Sequence, residues 1–190
     1  MSVAVLFARS DSIYKTISGL DVFDLARDAR TYKGELPVVA HPPCRAWGRL
    51  RAFAKPRPDE KMLACFAIDT VRRVGGVLEH PASSSLWDTC GLPRPGSRSD
   101  DFGGWSIEVP QKWWGHKAEK NTWLYVVGCS PRDIPAIPLV LAQATHSVGL
   151  WSGRDRSRSL PDLPKSEREA TPIAFATWLV DLASRCGAAA

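Results

Sequence analysis

An apolar run that ends at two consecutive prolines constrains this chain more than any other feature: Pro37-Val38-Val39-Ala40-His41-Pro42-Pro43-Cys44-Arg45. Apolar, β-branched residues bounded by prolines read as a buried strand. Pro42 and Pro43 have no N–H with which to extend a ladder and cannot enter a helix interior, so the chain must leave the sheet there. The run predicts a strand over 38–40 with Cys44 just past its carboxyl end, where open α/β sheets hold ligands. A thiol on a stiff loop beside His41 and Arg45 is a candidate nucleophile. The plainer reading, a small buried hydrophobe in a turn, fits the same residues.

The length of 190 residues suits a single domain spanning 1–190. A net charge of +5 suits contact with a polyanion and is equally common in ordinary enzymes. Five cysteines, an odd number with no Cys-x-x-Cys pair, predict reduced thiols in a cytoplasmic protein. No apolar stretch approaches the roughly 20 residues that span a bilayer, so no membrane partner is expected. Val3 to Phe7 has no basic leader and reads as a first strand, not a secretory signal.

Further strands are predicted over 19–24, 76–79 and 123–127. From Pro58 to Val74, apolar Met62, Leu63, Phe66, Ala67, Ile68 and Val71 recur at helical spacing. Asp59 and Glu60 open that helix, Arg72 and Arg73 close it, and Gly75-Gly76 stops it. Residues 91–104 and 152–170 read as loops, the second containing a basic Ser/Arg segment, Ser152 to Arg158. Thr171-Pro172 opens a closing helix through Leu182. Strands alternating with helices argue a mostly parallel α/β sheet with flanking helices.

Cys44 and Glu79 then fall on neighbouring strand ends, separated by one helix, as a βαβ crossover places them. A thiolate adds to an electron-poor carbon, and a nearby carboxyl holds the heterocycle; together they suit attack on C6 of a pyrimidine. Basic and aromatic residues follow Cys44 closely, among them Arg45, Trp47 and Arg49, a mixture suited to phosphate contact and base stacking. A second group, Gln111, Trp113, Trp114, His116, Lys117, Lys120 and Trp123, reads either as a cation-bearing contact or as an aromatic core corner. His41, Cys44, His80, Cys90 and His116 are zinc-type ligands without zinc-site spacing, so no metal is expected. His41 and His80 read instead as groups that tune the thiol or meet a phosphate.

The order Phe7-Ala8, Pro42-Pro43-Cys44, Leu78-Glu79-His80-Pro81, then Gln111 before a strand ending Val127-Gly128, resembles the cytosine-C5 DNA methyltransferases. It also resembles small phage or prophage proteins with a Gly-His-(Lys/Arg)-Ala-x-Lys-x-Thr-Trp-Leu block, here Gly115 to Leu124. The resemblance implies a Rossmann-like methyltransferase-type sheet and S-adenosylmethionine as cofactor. It implies Cys44 as nucleophile and Glu79 as the acid on the pyrimidine edge; His41, beside them, is expected to be catalytic as well. Phe7, Pro42 and Asp21 or Asp24 fall in the cofactor region, the acids where doubly wound folds hold ribose hydroxyls. Pro43, Arg45, Trp47, Arg49, His80, Gln111, His116, Lys117 and Lys120 fall on the side of DNA or a nucleotide.

The chain departs from that pattern in two places. Phe7-Ala8-Arg9-Ser10-Asp11-Ser12 contains no glycine where the family carries a Phe-x-Gly-x-Gly loop. Only about 40 residues, roughly 129–170, stand where the family has a target-recognition region, so reading a duplex sequence would require a homodimer or a separate recognition subunit. Two alternatives follow. One is a catalytically degenerate protein that binds nucleic acid or a partner. The other is an amino-methyltransferase acting on adenine N6 or cytosine N4 through the His-Pro-Pro-Cys loop.

Overall fold

The structure is a computed structural model that describes residues 3–148 and 160–187. The basic Ser152 to Arg158 segment lies outside the described residues. Six strands form one sheet: β1 (Val3–Leu6), β2 (Leu20–Phe23), β3 (Val38–Ala40), β4 (Gly76–Pro81), β5 (Trp105–Pro110) and β6 (Asn121–Val127). Their order is β2-β1-β3-β4-β6-β5. The first four are parallel. β6 runs antiparallel to β4, and β5 antiparallel to β6. The sheet is therefore mixed: β6 runs against the other five strands, a reversal that the sequence pattern does not predict. β5 escapes that pattern because its core-facing Trp105 and Val109 are split by polar Ser106 and Glu108.

Among the described residues four helices accompany the sheet: α1 (Glu60–Val74), α2 (Leu86–Thr89), α3 (Lys165–Glu169) and α4 (Ile173–Ser184). α1 covers one face, packing Ala64, Ala67, Ile68 and Val71 with Leu6, Val38, Ala40, Leu78 and Tyr125. α4 covers the other, packing Phe175, Ala176, Leu179 and Leu182 with Val3, Val5, Val39, Val77 and Val126. Coverage of both faces is why β1 and β3 read as unbroken apolar runs rather than as alternation. α1 matches the expected helix with its basic end, though Asp59 makes no side-chain capping bond. The residue capping α4 is Pro172, also without a side-chain bond, so Thr171 is not the cap. α3 corrects the expected loop over 152–170: its exposed, charged Lys-Ser-Glu-Arg-Glu turn has no apolar stripe to reveal it. Residues 91–104 are a loop as expected, pinned where Asp100 accepts the Tyr125 hydroxyl at 2.7 Å and Arg72 at 3.2 Å. No helix among the described residues is long and apolar enough to cross a membrane.

β3 and β4 meet at a point of very close backbone approach. Gly76 has φ +125°, and a Cβ on it would overlap the Val38 backbone. Only glycine tolerates both that dihedral and that contact. Gly76→Ala should lower the unfolding free energy by at least about 2 kcal/mol. Urea denaturation checks this, and an unchanged midpoint would show that the strand pair does not depend on the contact.

Candidate functional site at the ends of β3 and β4

The β3–β4 register runs Val38↔Gly76, Val39↔Val77, Ala40↔Leu78. The next step sets His41, the first residue past β3, beside Glu79, still within β4. His41 Nδ1 lies 2.9 Å from Glu79 Oε2. Its other nitrogen, Nε2, lies 2.9 Å from the Tyr14 hydroxyl. Tyr14 comes from a 3-10 turn, Ile13–Thr16, that follows β1, and it is buried. On the far side of the carboxylate, Gln111 Nε2 donates to Glu79 Oε1 at 3.1 Å and to Thr122 Oγ1 at 3.0 Å. Gln111 sits in a second 3-10 turn, Gln111–Trp114, directly after β5. The result is one hydrogen-bonded chain, Tyr14–His41–Glu79–Gln111–Thr122, crossing the carboxyl edge of the sheet.

Cys44 is exposed on the loop that leaves β3. Desolvation by the surrounding protein and the Glu79 charge push its thiol above the usual cysteine value, against a smaller pull from Lys120. Burial lowers the Lys120 ammonium, and the charges of Glu79, Cys44 and Glu169 oppose that shift. Glu79 and Lys120 therefore both act on the Cys44 thiol, in opposite directions. Burial alone would raise the Glu79 carboxyl, but the His41 hydrogen bond and nearby positive charge, Lys120 among it, outweigh burial and hold it at about 2. Three non-glycine residues with positive φ flank this edge: Phe7 (64°) after β1, Ser83 (60°) after β4 and Lys120 (42°) before β6. Such backbone strain gathers at sites that the surrounding structure over-determines.

Several residues assigned to substrate contact are turned elsewhere. Trp47 is 5% exposed and packs in the α1-side core, so its ring face is not open to a base. His80 is fully buried, 6.4 Å from the Trp87 ring, on the opposite face of β4 from Glu79. His116 is buried, its Nδ1 bonded to the Ala118 amide at 3.0 Å. Arg45 pairs with the buried Glu60 at the start of α1, tying the Cys44 loop to that helix. Lys117 pairs with Glu167 at 2.6 Å, while Lys120 Nζ donates to the Ala170 carbonyl at 2.9 Å, so the α3 segment is tied to the residues just before β6. Arg49 is exposed, Pro43 is half-buried and Pro42 is buried. In the expected cofactor region, Phe7 sets its ring edge-on to Phe66 at 6.4 Å. Asp24 pairs with Lys15 and Asp21 with Arg27, each at 2.6 Å. Among the described residues no cluster of three or more His, Cys, Asp or Glu side chains could hold a metal ion.

Tyr14 and Thr122 are the members of the chain that sequence reasoning misses. Each is a single polar residue in an unremarkable context, and only the fold brings them to Glu79. His80 carries a separate consequence. Neither of its ring nitrogens has a partner, and burial pushes its pKa down to about 4. The unfolded chain takes up that proton near 6.5, the folded protein only near 4, so the contribution is complete above 6.5 and is lost as pH falls to 4. That loss should be on the order of 3 kcal/mol. Glu79, with its folded value depressed, adds a further loss between 4.5 and about 2. Denaturation between pH 7 and 4 should show the first slope, and His80→Leu should flatten it; an equal slope in both proteins would refute the assignment. Comparison with family models, with curated proteins and with solved structures finds no match to this chain.

Proposed function

We propose that this chain acts on a pyrimidine base, in DNA or in a nucleotide, by adding the Cys44 thiol to ring carbon C6. The observation that carries this reading is the placement of Glu79, held by His41 at 2.9 Å and by Gln111 at 3.1 Å, at the carboxyl end of β4, next to the loop on which exposed Cys44 leaves the neighbouring strand β3. In the proposed step the sulfur bonds to C6, the C5–C6 double bond opens and C5 takes a proton from water. The thiol proton is released to solvent, and reversal expels the sulfur and either proton from C5. Lys120 would stabilise negative charge that spreads onto the ring's heteroatoms. Glu79 would accept a hydrogen bond from the base edge. The strand order, with reversed β6 inserted beside edge strand β5, suits a methyltransferase-type sheet, though a fold alone does not carry an activity.

The residues after β1 and β2 do not fit S-adenosylmethionine. The loop after β1 offers side chains where close backbone approach needs glycine, and a 3-10 turn stands in place of a helix whose N-terminus could meet the cofactor. Asp21 and Asp24 are engaged by Arg27 and Lys15. No methyl-transfer step is therefore derived. The raised Cys44 pKa supports a second reading, in which the protein binds nucleic acid without turning it over.

Hydrogen exchange at C5 separates the two readings without a cofactor. In heavy water, the protein should introduce deuterium at C5 of a pyrimidine nucleotide or oligodeoxynucleotide, read by mass spectrometry. The rate should keep rising above pH 9, since the Cys44 thiol ionises above that ordinary value. Cys44→Ala should abolish it. Absence of exchange in every pyrimidine substrate would leave the binding reading. Calorimetry should detect no S-adenosylmethionine binding at millimolar concentration; clear binding would restore methyl transfer.

A further inference from the structure

The direction of hydrogen bonding along the Tyr14–His41–Glu79 chain follows from a simple inventory. Tyr14 is buried, and the only partner of its hydroxyl among the described residues is His41 Nε2 at 2.9 Å. A buried phenol must place its proton on an acceptor. Nε2 is therefore the lone-pair nitrogen, and the single proton of the neutral imidazole sits on Nδ1. Nδ1–H donates to Glu79 Oε2 at 2.9 Å. The other oxygen is settled independently. Thr122 Oγ1 gives its proton to the Lys120 carbonyl at 3.2 Å, so it accepts from Gln111 Nε2. That orients the Gln111 amide with its second N–H on Glu79 Oε1 at 3.1 Å, even though its own Oε1 is left buried without a partner. Both carboxyl oxygens thus receive N–H donors, and Glu79 is left with lone pairs only.

We infer that Tyr14 and His41 are positioning residues that fix Glu79 as an acceptor-only carboxylate, so that the site selects a base edge presenting an N–H group. His41 is then not a general base, because both of its nitrogens are committed within the chain. This replaces the expectation that His41 is catalytic. An acceptor-only carboxylate matches N3–H of a 4-oxo pyrimidine or the exocyclic amine of a 4-amino pyrimidine. It is mismatched to the same rings once those hydrogens are replaced by methyl groups. This base-selecting consequence rests on the proposed pyrimidine site; the tautomer of His41 does not.

Two measurements test the two halves separately. Nitrogen-15 NMR of the free protein at neutral pH should show His41 in the Nδ1–H form, the minor tautomer of free histidine. Tyr14→Phe, which removes the hydroxyl while keeping the ring, should return it toward the Nε2–H form. An Nε2–H tautomer in the native protein, or no change in Tyr14→Phe, overturns the positioning assignment. The second measurement uses Cys44→Ala to remove covalent capture. Deoxyuridine and deoxycytidine monophosphates should bind roughly tenfold or more tightly than their N3-methyl and N4,N4-dimethyl forms, the cost of an unmatched hydrogen bond. The same bases in single-stranded oligodeoxynucleotides distinguish monomer from polymer as the source of the ligand. Glu79→Gln offers both a donor and an acceptor and should shrink that ratio. Equal binding of parent and methylated bases overturns the selection rule. Failure of all four nucleotides and of the oligodeoxynucleotides to bind overturns the pyrimidine reading with it, while the NMR result still decides the role of Tyr14 and His41.

Discussion

The parallel pairing of β3 with β4 is the constraint on which the rest of the molecule turns. It puts His41 beside Glu79, and because side chains alternate along a strand, a slip of one residue would send Glu79 to the α1 face and His80 to the site. Gly76 guards against that slip. Its missing side chain lets the Val38 backbone approach where any Cβ would collide. The two apolar faces reinforce the register, since Val39 and Val77 belong to the α4 side and Val38, Ala40 and Leu78 to the α1 side.

Charge placement at the site follows from what surrounds that strand pair. Glu79 is held ionised by donors on both oxygens, one from each flank of the sheet edge. Burial and that negative charge both make the Cys44 thiol harder to ionise. Lys120 offsets part of this from a strained position just before β6. The α3 segment contributes through Ala170 and Glu167, which hold Lys120 and Lys117.

Legibility in the sequence followed the strength of local signals. β1, β3, α1 and α4 are visible because dense apolar runs bounded by Pro or Gly have few alternative readings. The pairing of β3 with β4 could be anticipated because a single helix between two strands brings the strands together. β5 was hidden by its polar interior residues, and α3 by its lack of an apolar face. The aromatic residues misled most. Trp47 sits among arginines in the chain, which reads as a stacking surface, yet its ring is worth more in the core than in water and is buried there. Basic residues misled in a related way, because Arg45 and Lys117 are bound to Glu60 and Glu167, acids far from them in the sequence.

By itself the sequence determined that the chain must leave a buried strand at Pro42-Pro43 and carry Cys44 out at its carboxyl end, since proline's missing N–H and fixed φ leave the backbone no other course. Only the tertiary structure decided what that thiol meets. Tyr14, His41, Glu79, Gln111, Lys120 and Thr122 come from five separate stretches of chain, and their hydrogen bonds run between residues up to 38 positions apart. No local pattern encodes such pairings, because they arise from the packing of both sheet faces and the register that packing enforces.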